Sequence, residues 1–195
     1  MSDKLGDTYE VELPEGYKPV KIVDAKDSKL IVILNVITIV LTLGFIALSF
    51  AIIRPSLEEG IPVVRLMLAV SAFIVYIVLH ELTHGLAYKI MTGRKLTFGM
   101  TLTVAYCGVP DIYVYRKTAL VSLLAPLTVF SILFLVPVFF LENPWNKFVM
   151  LLLFSEHFGG CTGDIYDTLL LLFKYKDPAT LMNDTGPKQT FYQKV

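Results

Sequence analysis

Four long apolar runs divide this chain, and they constrain its fold more than any other feature. Residues 30–53 read LIVILNVITIVLTLGFIALSFAII, and a second run begins at residue 63 with VVRLMLAVSAFIVYIVLHELTHGLAYKIM. The third covers residues 118–141 and the fourth residues 148–173. Each supplies the roughly 20 residues a helix needs to cross about 30 Å of hydrocarbon. Apolar residues make up 55% of the chain and charged ones 17%, against roughly 45–50% and about 25% in soluble domains. The first run is too long for a signal-peptide core and lacks a small-residue cleavage site. The expectation is an integral membrane protein embedded in the lipid bilayer.

Basic residues assign its orientation. Lys4, Lys18, Lys21, Lys26 and Lys29 precede the first span, and Lys89, Arg94, Lys95, Arg116 and Lys117 lie between the second and third. Lys174, Lys176, Lys188 and Lys194 follow the fourth, whereas only Arg54, Arg65 and Lys147 fall on the other side. Lys and Arg concentrate in cytoplasmic loops, so both termini and the loop at residues 91–117 are expected in the cytoplasm. The formal net charge of +0 gives no indication of a nucleic-acid partner. Cys107 and Cys161 are too few for a disulfide framework and read as small buried residues.

Residues 95–106, KLTFGMTLTVAY, alternate apolar and polar, and residues 112–115 form a second β-prone piece after a Cys-Gly-Val-Pro-Asp turn. The fold class expected is therefore all-α, with four transmembrane helices and a short β-hairpin between the second and third spans. Residues 1–29 form a cytoplasmic N-terminal segment, residues 30–177 a four-span membrane domain, and residues 178–195 a cytoplasmic tail. Both terminal segments read as loosely ordered polar flanks except where they pack on the loop at residues 91–117.

The second span ends in polarity. His80 and His84 stand four residues apart with Glu81 beside the first. On a helix they share one face, about 6 Å apart along the axis. In His-Glu-x-x-His the histidines bind zinc and the glutamate handles protons. Interior histidines satisfied by a carboxylate are the plainer alternative, but each ionisable group inside a span costs about 2.5–3.5 kcal/mol. Three together call for a compensating cation.

Zinc needs a third ligand. Depth along the spans, at about 1.5 Å per residue, brings Asp164 and Asp167 level with the histidines and leaves Glu156 and His157 too far away. Depth alone does not separate the two aspartates. The glycines of Gly-Gly-Cys-Thr-Gly before Asp164 should loosen the helix there, as membranes tolerate beside a cavity. That favours Asp164 as ligand, with Asp167 fixing a histidine tautomer from behind. Tyr76 and Tyr88, four residues either side of the pair, could reach the site or simply pack. Pro126 and Pro137 should kink the third span.

Taken together, LPEGYK at residues 13–18, HELTHGLAYKIMTGRK at 80–95, LLAPL at 123–127 and GCTGDIYD at 160–167 resemble a family of membrane zincin peptidases. More distantly they resemble the site-2-protease intramembrane metalloproteases. The resemblance implies Zn2+ held by His80, His84 and an aspartate from a later span, with Glu81 as the catalytic base. It implies an intramembrane zinc metalloprotease cutting membrane-protein or peptide substrates near the cytoplasmic face, and a β-structured segment that presents them. The site-2-protease third-ligand motif carries Asn-Pro and Asp-Gly, whereas Asp164 here precedes Ile165. A non-catalytic zinc-binding protein regulating a partner and a small transporter subunit are the rival classes. Oligomeric state is not encoded in any of these features.

Overall fold

The computed structural model describes residues 8–25, 27–58, 62–100 and 105–195. Among them are seven strands and five α-helices, so the chain is not all-α. In order they are β1 (Tyr9–Glu10), β2 (Tyr17–Asp24), α1 (Ser28–Ile53), α2 (Val63–Thr92), β3 (Thr97–Met100), β4 (Ala105–Gly108) and β5 (Tyr113–Tyr115). Then follow α3 (Arg116–Phe140), α4 (Pro144–Gly160), α5 (Thr162–Leu169), a π-helical turn at Leu170–Lys174, β6 (Leu181–Asp184) and β7 (Lys188–Lys194).

Three helical segments, Lys29–Ile53, Val63–Thr92 and Arg116–Phe140, are long and apolar enough to cross a membrane, which corrects the expected four. The fourth run does not form one helix. Asn143 caps α4, its side chain accepting from the Asn146 backbone N–H, with Pro144 at the first helical position. The helix then stops at Gly160, and α5 starts afresh at Thr162. Its 17 residues span about 26 Å, short of the roughly 30 Å of hydrocarbon. Thr162 Oγ1 takes the Gly159 carbonyl at 2.6 Å, satisfying an acceptor at the break.

Two compact units divide the chain. The first comprises Met1–Ile31, His80–Pro126 and Asp164–Val195. Its sheet is antiparallel in the order β1-β5-β6-β7-β2, and β3 and β4 form a separate pair. β7 runs between β6 and β2, with Met182 opposite Phe191 and Tyr17 opposite Lys194. The two terminal segments expected as loose flanks are therefore strands. They are short and mostly polar because such a sheet needs only alternate residues apolar. Phe191, Met182, Val114 and Ile112 meet in one core with Tyr88 and Leu171.

The expected hairpin is also corrected. Residues 95–106 do not form one strand facing 112–115: β3 folds back on β4, with Phe98 opposite Cys107, inside that stretch. β5 instead joins the larger sheet between β1 and β6. Burial decides this, since Val114 is fully enclosed and needs an apolar sheet face. Residues 101–104, part of the expected strand, lie outside the described residues.

The second unit comprises Val32–Leu79 and Leu127–Gly163 and is helical. Its α1 residues expose large apolar side chains along their length, Val40 at 64% and Ile52 at 66%. A helix that is apolar on every side suits hydrocarbon rather than water. Where α1 meets α4, Thr42 Oγ1 donates to the Ser155 carbonyl at 3.4 Å, and a Cβ on Gly159 would collide with the Thr42 side chain. Small residues permit that close approach.

Candidate metal centre

The C-terminal part of a long helix and the first turn of a short one build the site. His80, Glu81 and His84 lie on α2, and Asp164 lies in the opening turn of α5. All four belong to the first unit.

The donor atoms converge closely. His80 Nε2 stands 3.2 Å from His84 Nε2 and 3.2 Å from Asp164 Oδ2, and His84 Nε2 is 3.3 Å from Asp164 Oδ1. His84 Nδ1 is 2.9 Å from the Ser122 carbonyl, so this nitrogen carries the proton and donates it. With Nδ1 so engaged, Nε2 is the ring nitrogen that faces a second imidazole and a carboxylate. Tetrahedral zinc with bonds of about 2.0–2.1 Å would space its ligands about 3.3 Å apart. The donor set and its spacing fit such an ion. His80 and His84 are both buried and Asp164 is half-buried.

Glu81, half-buried, follows the first histidine and lies within electrostatic range of His80, His84 and Asp164. Asp167 is also in this unit and is 4% exposed, with its Oδ1 unpaired by any hydrogen bond. The partner that fixes the His84 tautomer is a backbone carbonyl. Glu156 and His157 belong to the second unit. There His157 Nδ1 meets the Tyr76 hydroxyl at 2.8 Å and its Nε2 meets Ser131 Oγ at 3.3 Å, a satisfied interior histidine.

Sequence reasoning missed two supporting residues. Ser122 acts through its main chain, which residue type does not reveal. Asp184 sits at the end of β6, where its Oδ2 accepts from Tyr88 Oη at 2.8 Å and its Oδ1 from the Gly186 backbone at 2.9 Å. Burial pushes the Asp184 carboxyl up to about 6, although the Gly186 and Tyr88 donors hold it down. Burial also pushes the Cys107 thiol up to about 12, so it stays protonated and serves as packing.

Fold and site together define a membrane-associated protein with a histidine–histidine–carboxylate cluster capable of holding a metal ion. The chain belongs to the family described as "Putative zincin peptidase", whose model matches residues 73–179, just over half its length. That description is of a metallopeptidase, and the matched stretch includes His80, Glu81, His84 and Asp164. Comparison with curated proteins and with solved structures finds no match.

Proposed function

We propose that this protein is an intramembrane zinc metalloprotease of the site-2-protease kind, hydrolysing peptide bonds of membrane-embedded substrates near the cytoplasmic face. The carrying observation is the mutual spacing of His80 Nε2, His84 Nε2 and the two Asp164 oxygens, 3.2–3.3 Å. The zincin family and the helices suited to a bilayer support the same reading.

His80, His84 and Asp164 would hold zinc, which when bound supplies Lewis-acid polarisation of water and of a carbonyl oxygen. Glu81 would accept the proton that water loses as its oxygen adds to the scissile carbonyl carbon. Glu81 then returns that proton to the departing amine nitrogen as the C–N bond breaks. Ser122 keeps the His84 ring in the tautomer that leaves Nε2 available.

A helical substrate must unwind before it can be cut. Among the described residues β3 has a strand on one side only, and its free edge can pair with an extended peptide. The Phe98 ring from β3 packs against Gly85, the residue after His84, which brings that edge near the motif. The pairing of β2 with β7 keeps both terminal segments in one sheet. With the basic residues above, that supports a cytoplasmic sheet and cytoplasmic termini.

The test is purified protein in lipid, loaded with zinc and offered a single-span substrate. Cleavage inside the span, stopped by a chelator and restored by zinc, is expected. Stoichiometric zinc without cleavage of any membrane substrate would overturn proteolysis and leave a metal-binding regulator.

A further inference from the structure

The Ser122 carbonyl is free to hold His84 for a reason encoded four residues downstream. In an α-helix the carbonyl of residue 122 accepts the backbone N–H of residue 126. Residue 126 is proline, which has no N–H and whose ring crowds that carbonyl. Yet α3 runs unbroken from Arg116 to Phe140, so the missing bond is a local defect in a continuous helix. A buried carbonyl without a partner is costly. Here the partner is the His84 Nδ1–H at 2.9 Å, and Pro126 is itself fully buried. Ser122 Oγ adds a return bond to the His84 carbonyl at 3.4 Å, so the two helices are tied at this level in both directions.

We propose that Pro126 is a positioning residue for the metal centre: by vacating the Ser122 carbonyl it fixes the orientation and tautomer of His84. Its bearing on zinc rests on the metallopeptidase reading, but the ring anchor itself does not. An ordinary helical residue at 126 would offer its own N–H to Ser122 and compete with His84 Nδ1 for that carbonyl. The proline thus works through an acceptor it leaves unpaired, without touching the ion or the substrate.

The chain has three histidines, few enough to resolve by nitrogen-15 NMR of histidine-labelled, metal-free protein in micelles, assigned with His84→Ala. Wild type should show a protected His84 Nδ1–H. Pro126→Ala should show faster exchange of that proton. Zinc affinity, measured by competition with a chelator, should fall about tenfold or more, the usual effect of removing a partner behind a ligand. Pro137→Ala, in the same helix, should change neither reading. An unaltered His84 signal in Pro126→Ala would overturn the inference, as would an equal loss in Pro137→Ala. A wild-type chain with the protected Nδ1–H but no zinc binding would uphold the ring anchor and overturn the metal reading instead.

Discussion

The phenolic hydroxyl of Tyr88 donates to Oδ2 of Asp184 across 2.8 Å, tying the helix that carries both histidines to the end of β6. Both residues are buried, at 1% and 4% exposure. Tyr88 lies one turn beyond His84 on α2. Removing that hydroxyl in Tyr88→Phe leaves an Asp184 oxygen without its donor. A hydrogen bond to a charged group contributes about 1.5–3 kcal/mol, so the variant should melt several degrees lower by circular dichroism. An unchanged melting temperature would show that the contact contributes nothing.

Asp184 also makes stability depend on pH. Its folded pKa, about 6, lies above the ordinary 3.8, so the folded state binds this proton more tightly than the unfolded chain. The resulting stabilisation is fully present below about pH 4 and is lost as pH rises through 6. Its size is at most on the order of 3 kcal/mol. Metal-free wild type should therefore lose stability relative to Asp184→Asn between pH 4 and 6. Parallel melting curves for the two proteins across that window would refute the shift.

Zinc content separates the ligands from their neighbours. His80→Ala, His84→Ala and Asp164→Ala should each lose more affinity than the roughly 10–100-fold typical of residues behind a ligand. Asp167→Asn should retain one ion per chain, because its carboxylate is not among the clustered donors. If Asp167→Asn empties the protein while Asp164→Ala does not, the third ligand has been misassigned.

Glu81→Gln removes the proposed proton acceptor but keeps the shape of the side chain. Hydrolysis should drop by about 10²–10⁴-fold, with zinc content unchanged. Cleavage at the wild-type rate would eliminate the general-base role.

Gly85 tests the packing of the hairpin against the motif. A Cβ there would lie 2.8 Å from Phe98 Cζ, 3.1 Å from Leu96 Cδ1 and 3.2 Å from Cys107 Sγ. Overpacking of this kind costs about 1–3 kcal/mol. Gly85→Ala should lower the melting temperature, and adding Phe98→Leu should recover part of the loss. A double variant no better than the single one would mean that Phe98 does not set the limit.

Much of the membrane part could be read directly, because long apolar runs and the four-residue spacing of His80 and His84 are short-range properties of the chain. The fourth run was misread because its mean apolarity hides the glycines at 159 and 160, where α4 ends partway through the run. The polar tail was misread because β7 buries Thr190 and Phe191 among half-buried and exposed neighbours, too weak a pattern to outweigh its polarity. Residues 95–106 alternated as a strand should, but alternation does not specify a partner, and the chain folded back within that stretch.

By itself the sequence determined that the chain has bilayer-length helices and that one of them carries two imidazoles and a carboxylate on neighbouring positions. Helical periodicity and hydrocarbon thickness suffice for both. Tertiary structure alone decided which oxygens meet those imidazoles, which carbonyl turns His84, and which strands flank the helix ends. Those partners lie from dozens to more than a hundred residues away: Asp164 with His80, Ser122 with His84, Lys194 with Tyr17. Such pairings arise from the packing of the whole chain, because burial must satisfy every polar group at once and no local pattern records the solution.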